Sequence, residues 1–311
     1  MNVLSLTSNP KSTFYTHQVH ALREQGVDVT TVSVPGNQFA TQSNPETRSV
    51  VDYVRFLPMV VRESLNDFDV VHANYGLTAP AALAQFRLPV VLTLWGSDLM
   101  GKYGWLGKVA ARQCDEVIVM SERMAAQLQG DAHVIPHGVD LDRFQPVPPE
   151  TARERVGWDP ETRHVFFPYS TRRPVKNYPL AERVVEAVDE LADWPVTLQT
   201  VTDVPHEEMF YYYNAADALL LTSSYEGSPN SVKEAMACNT PVVSTDVGDV
   251  PELLDGVEQS ALCDSEAALV TQLFRILEAR QRSTGRAGVS DRDLASMGSQ
   301  IRSVYAAALS S

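Results

Sequence analysis

Lysine is scarce in this sequence of 311 residues, which carries only Lys11, Lys102, Lys108, Lys176 and Lys233. The other twenty basic side chains are arginines, and 39 acidic ones leave a net charge of −14. A balance of that sign argues against a nucleic-acid partner, which would need a basic face. Cysteine is scarcer still. Cys114, Cys238 and Cys263 are odd in number and scattered, with no Cys-x-x-Cys, so neither a disulfide framework nor a thiolate metal site is expected. The seven histidines fall into no metal-ligand pattern, and His72, in VVHAN, reads as a core residue. No apolar run approaches a membrane span, and MNVLSLTSNP passes straight into strand and turn without a basic leader. A cytoplasmic protein is expected. No Gly-x-Gly-x-x-Gly follows the first strand, which disfavours a nicotinamide oxidoreductase.

What the chain does contain is an alternation of apolar strands and amphipathic helices. In the first half, strands read at 2–6, 27–34, 70–73, 90–94, 116–120 and 133–135, with helices between them. PHGVDLDRFQPVPPE, 136–150, is rich in proline and turn residues and marks a domain boundary. The alternation then restarts. Strands read at 164–168, 196–200, 218–222 and 241–245, with helices at 177–190, 206–216, 229–237 and 266–279. A last helix, 291–309, has no strand after it. This is an α/β chain of two Rossmann-like, doubly wound domains, and two such domains facing each other would bind a ligand in the cleft between them.

One stretch concentrates the chemistry: SSYEGSPNSVKEAMACNTPVV, 223–243. The apolar run before it reads as a buried strand entering a loop. Ser228 suits a helix N-cap and Pro229 the first helical position. Glu226 then sits on the loop and Glu234 inside the helix. On one continuous helix their spacing would set the side chains roughly 80° apart. With Glu226 on the loop, both can border a crevice beyond the strand's carboxyl end. A solvated helix face explains the same spacing equally well.

The residues 212–254, YYNAADALLLTSSYEGSPNSVKEAMACNTPVVSTDVGDVPELL, resemble the donor-binding signature of family 4 glycosyltransferases, the group 1 glycosyl transferases of the GT-B fold. The pattern is Glu-Gly, then Glu-Ala, then a Thr-Pro-Val-Val strand and a Gly-x-x-Pro-Glu turn. VIPHGVDLDRF at 134–144, DVVHANYGLTAP and VVLTLWGSDL resemble the interdomain connection and the acceptor-domain strands of that family. The resemblance implies an acceptor-side domain over 1–145, a nucleotide-sugar domain over 146–290, and a C-terminal helix, 291–311, packing back on the first domain.

It implies a retaining hexosyltransferase that moves a sugar from a nucleotide-sugar to an acceptor hydroxyl. Cell-surface glycan or glycolipid synthesis is the expected setting, with a glycan or lipid-linked acceptor. Glu226, Arg173 and Lys176 then carry the catalytic roles. Arg172, Gly227, Ser228, Pro229, Asn230, Ser231 and Glu234 line the donor, Glu234 by accepting from the ribose hydroxyls. No metal or other cofactor is implied, because Arg173 and Lys176 stand where the diphosphate would be gripped. Asp291-Arg292-Asp293 and Asp140-Leu141-Asp142 have a metal-binding spelling but lie away from the Glu226 loop in the family's arrangement.

On the acceptor side, Trp95, Gly96 and Asp98 occupy the place where His-Gly is frequent, and SNPKSTFYT replaces the usual Gly-Gly loop. YVRFLPMVVRESL, 53–65, has apolar and basic residues suited to peripheral contact with a membrane surface. An epimerase or phosphorylase on the same fold, and a non-catalytic scaffold subunit, remain alternatives.

The acidic, lysine-poor composition also reads as adaptation to high salt, where screening removes self-repulsion. The melting temperature is then expected to rise from dilute buffer to molar KCl. A protein most stable in dilute buffer would count as an ordinary acidic one.

Overall fold

Two parallel sheets organise the chain. The computed structural model describes residues 1–36, 48–101, 103–201 and 204–310. The first sheet has strands β1 (Asn2–Thr7), β2 (Asp28–Ser33), β3 (Val70–Ala73), β4 (Val90–Thr93), β5 (Glu116–Val119) and β6 (His133–Val134), in the order β2-β1-β3-β4-β5-β6. The second has β7 (Arg163–Phe167), β8 (Val196–Thr200), β9 (Ala218–Leu221), β10 (Val242–Thr245) and β11 (Ala261–Cys263), in the order β11-β10-β9-β7-β8. Every pairing is parallel, with Val3 opposite Val29 on one side and Val70 on the other. Helical crossovers cover parallel sheets on both faces, so their strands read as continuous apolar runs. In β7, Phe166 joins one core cluster while Val165 and Phe167 join the other. Successive side chains of a strand point to opposite faces.

The strand orders fix where ligands can bind. In each sheet the second strand lies outside the first and the third lies on its other side. The winding therefore reverses between β1 and β3, and again between β7 and β9. Loops leaving the carboxyl ends of strands at such a reversal diverge and open a crevice.

Contacts divide the chain into two units: Met1–His137 with Leu294–Ser311, and Gly138–Asp293. The last helix, Leu294–Ala308, completes the first unit's core with Met297, Ile301, Val304, Tyr305 and Ala308. Gly298 lets it approach the helix Thr13–Glu24, because a Cβ there would stand 2.7 Å from the Ala21 carbonyl oxygen. Residues 138–145, which the sequence reading keeps with the first domain, belong to the second unit. Val139 bridges to Asp293, and the Phe144 ring is buried in the second core. Asp291 and Asp293 lie before the last helix instead of opening it.

Several short elements escape the periodicity altogether, three of them in the second half. β11 spans only three residues. The helix Pro149–Val156 hides in the proline-rich boundary segment, and Val250–Leu254 adds a single turn and a half to the Gly-x-x-Pro-Glu turn.

His72 is fully buried, sharing hydrogen bonds with the Tyr305 hydroxyl at 2.6 Å and with Thr93 Oγ1 at 2.7 Å. Burial pulls its pKa down to about 3. As pH falls, the unfolded chain takes up this proton first, near pH 6.5. His72 therefore contributes stability that is complete above about pH 6.5 and lost as pH falls toward 3. Tyr305→Phe strands the ring nitrogen and is expected to cost about 1–3 kcal/mol in urea denaturation at pH 7. Unchanged stability would remove the helix 294–308 as a polar as well as apolar anchor.

Candidate active site

At the second reversal, the loop after β7 meets the loop after β9. Backbone and hydroxyl bonds lace the two together. Ser224 N donates to the Val175 carbonyl at 2.9 Å, and Thr222 Oγ1 donates to the carbonyls of Lys176 and Asn177 at 2.9 and 3.1 Å. Asn177 takes the left-handed conformation, φ 51°, which turns the chain from the short 3-10 turn Pro174–Lys176 into the helix Tyr178–Leu191.

This lacing brings Lys176 to Glu226. The ammonium, 4% exposed, donates to Glu226 Oε1 at 2.5 Å. Ser223 Oγ donates to the same oxygen at 2.6 Å. The ammonium also lies 3.6 Å from the centroid of the Tyr169 ring, a cation–π contact. Burial lowers the lysine pKa, Glu226 opposes that shift, and the charge of Arg173 adds to the lowering. Arg172 and Arg173 are both exposed. The charge of Arg173 also bears on Tyr169. Tyr169 shares a short hydrogen bond with Ser231, tying this network to the start of the next helix.

Glu234 stands on that helix, Asn230–Ala237, and is largely buried. His206 Nε2 donates to one carboxylate oxygen at 2.8 Å and the Tyr213 hydroxyl to the other at 2.7 Å. Burial depresses His206, but the hydrogen bond and charge of Glu234 outweigh it and leave its pKa raised. Each oxygen of a carboxylate has two acceptor sites. Glu234 can thus accept a diol while keeping either partner.

Ser228 does not cap the helix, as the sequence reading expects; Pro229 holds the N-cap position. The Ser228 hydroxyl is instead committed to Asp249 Oδ2 at 2.7 Å. Gly227, beside it, is overlaid by Gly248. That residue has φ +57°, and a Cβ there would come within 2.6 Å of the Gly227 carbonyl oxygen. The Gly-Asp turn is therefore a lid on the Glu226 loop.

In the first unit, Trp95, Gly96 and Asp98 lie just beyond β4. Asp98 is 4% exposed and accepts from Trp95 N, Gly96 N and Gly76 N at 2.8, 3.0 and 3.0 Å. Burial raises its pKa against those three bonds. It braces the loop through three backbone N–H groups. Gly96 has φ 127°, accessible to glycine. The Trp95 indole donates to the Asn74 carbonyl at 2.9 Å and packs with Phe14 and His137, at centroid distances of 6.3 and 5.9 Å.

Sequence reasoning missed Tyr169, His206, Tyr213, Ser223 and Asp249. Only His206 and Tyr213 carried a signal, as a histidine and a tyrosine on the helix preceding the glutamate strand. Among the described residues, no group of three or more His, Cys, Asp or Glu could hold a metal ion.

Two family models match the chain. That for glycosyltransferase family 4 covers residues 12–143, and that for glycosyl transferases group 1 covers residues 178–279. The chain is 30% identical over 233 residues to TuaC of Bacillus subtilis, a glycosyltransferase named for teichuronic acid biosynthesis, covering 64% of this chain and 58% of that protein. It is 28% identical over 231 residues to the lipopolysaccharide core biosynthesis mannosyltransferase LpsB of Rhizobium meliloti, covering 64% and 65%. The chain thus spans less than two thirds of the length of both relatives. Among solved structures, HepE of Anabaena in complex with UDP-glucose aligns with a TM-score of 0.70 at 16% identity, covering 97% of this chain and 98% of that one. Sucrose-phosphate synthase of Thermosynechococcus elongatus aligns with a TM-score of 0.70 at 19% identity, covering 100% and 97%. These likenesses show the fold, which is GT-B.

The overlay of Gly248 on Gly227 can be measured. Gly256 has φ +69° with open space, nothing within 4 Å, where a Cβ would stand, so Gly256→Ala bears only the backbone cost, about 1–2 kcal/mol. Gly248→Ala is expected to lose clearly more in chemical denaturation, because it adds the collision with Gly227. Equal losses would mean that the Glu226 loop yields freely.

Proposed function

The chain belongs to glycosyltransferase family 4, and from that premise we propose that it moves a hexose from a nucleotide-sugar to an acceptor hydroxyl with retention of configuration. The observation that carries this reading is the Lys176–Glu226 pair at the reversal of the second sheet. A buried ammonium that an acidic side chain holds in place is a fixed cation, ready for an anionic group entering the same crevice. In the proposed reaction that group is the donor's diphosphate. The bond from the sugar to the diphosphate oxygen breaks, the acceptor oxygen bonds to the same face, and the departing phosphate oxygen takes the acceptor's proton. Negative charge grows on the diphosphate, and Lys176 and Arg173 meet it, so no metal is required. Glu226 lies beside the sugar, Gly227 to Ser231 line the donor, and Glu234 accepts the ribose hydroxyls. The completeness of the networks around Glu226 and Glu234 favours an enzyme over a scaffold.

TuaC and LpsB are named for a teichuronic acid and a lipopolysaccharide core. This supports a glycan or lipid-linked glycan of the cell surface as acceptor. The Phe14 and Trp95 rings suit it, because the C–H face of a sugar packs well on aromatic carbon. No helix among the described residues is long and apolar enough to cross a membrane. The helix Val50–Glu63 exposes Val50, Val51, Val54 and Met59 beside arginines, which supports peripheral contact at the cytoplasmic face of a membrane.

A nucleotide-sugar panel screened by thermal shift, followed by transfer assays, tests the proposal. Lys176→Ala is expected to lower kcat about a hundredfold while weakening donor binding much less, since the charge it meets grows toward the transition state. Trp95→Ala should raise the acceptor KM with the donor Kd unchanged. Transfer should persist in EDTA; activity lost on chelation and restored by magnesium or manganese would overturn the metal-free mechanism.

A further inference from the structure

Behind the Glu226 loop lies a second buried lysine, which the proposed transfer does not use. Lys233 is 0% exposed, and its ammonium donates to Ser228 Oγ at 2.9 Å. The serine passes the bond on to Asp249 Oδ2 at 2.7 Å. Arg292 stands 3.8 Å from that oxygen, and Asp249 Oδ1 has no hydrogen-bond partner among the described residues. Removing an ammonium from water costs several kcal/mol even after relaxation. Its helix neighbours Val232, Ala235 and Met236 are all core residues, so an apolar side chain would satisfy packing at this position. What an apolar side chain cannot do is reach back from the first turn of its helix and hold the loop before it.

That loop is clamped from two sides. Asp249 takes the Ser228 hydroxyl, and its neighbour Gly248 lies on the Gly227 carbonyl. Lys233 supplies the charge that draws Ser228 and Asp249 together from below. We infer that Lys233 is a positioning residue, whose ammonium acts through Ser228 and Asp249 to hold the Gly227–Ser228 backbone where it meets the sugar nucleotide. The inference rests on the reading of the Glu226 loop as the donor site.

A pH signature separates this role from mere packing. Burial lowers Lys233 to about 8. The charged groups facing it are Asp249 and Glu234, which raise it, and Arg292, which lowers it. Above pH 8 the ammonium loses its proton, Ser228 and Asp249 lose the charge behind them, and donor affinity should fall. Asp249→Asn withdraws the main group that keeps Lys233 charged, so the fall should begin at lower pH. Lys176 also has a depressed pKa, but it is set against Glu226 and should not respond to Asp249.

The experiment is calorimetric titration of UDP-glucose and GDP-mannose into wild type, Lys233→Met and Asp249→Asn from pH 6.5 to 9.5, with circular dichroism to confirm folding. For whichever donor wild type binds, Kd is expected to rise about tenfold across the upper half of that range. Lys233→Met should be about tenfold weaker at pH 7 and should lose the part of the pH dependence that Asp249→Asn displaces. If Lys233→Met does not fold, the acid-ward displacement in Asp249→Asn carries the test. A folded Lys233→Met with wild-type Kd, or an Asp249→Asn profile that coincides with wild type, overturns the inference while leaving the donor site standing. Wild type that binds neither donor overturns the site reading and this inference with it.

Discussion

An ammonium taken out of water has to find an anion, and at Lys176 this requirement joins two loops that the sheet would otherwise let diverge. The pair alone is no guarantee of stability, since desolvation can match the Coulombic gain. Here the geometry is over-determined. Ser223 donates to the same carboxylate oxygen, the Tyr169 ring covers the ammonium, and Thr222 and Ser224 bond the loop backbones together. Each bond constrains the others, so Glu226 is held by its surroundings instead of by its own backbone. A site built this way is pre-organised: the cost of ordering its charges is met in folding, before any ligand arrives.

The same logic recurs along one loop and helix. Glu226, Glu234 and Asp249 each lean on a nitrogen base: Lys176, His206, and Lys233 through Ser228. The chain has five lysines, and two of them are buried here. In so acidic a protein that allocation is the opposite of the usual one, where lysine serves as a solvated surface charge.

How much of this was legible follows from distance along the chain. Strand and helix alternation is a local signal, and it yields the doubly wound sheets. The seat of Glu226 on a loop and Glu234 in a helix follows from Gly227 and Pro229 alone. Ser228 shows where local reading stops. Its type and position suit a helix cap, but Asp249, twenty-one residues on, offers a charged acceptor and wins. The partners of Asp98 are three backbone N–H groups, and the one from Gly76 lies too far along the chain to be read locally. The burial of Lys233 has no local signal, because nothing in the sequence reveals that its helix is buried from Ser231 to Ala237.

The last helix has a consequence for the order of events during synthesis. Residues 294–308 leave the ribosome after both sheets have been made, yet they fill the core of the first unit and supply the hydroxyl that pairs with His72. The second unit, 138–293, is complete before they emerge. The half that is made first must therefore wait, partly open, while the half made second can already close. Its β4 and β5 carry valine, leucine and isoleucine runs that this helix packs on and that lack one cover until it arrives, and such surfaces are prone to wrong partners. A chaperone or a slow stretch of translation would matter most in that interval, and a lesion in the helix 294–308 would be felt in strands made long before it.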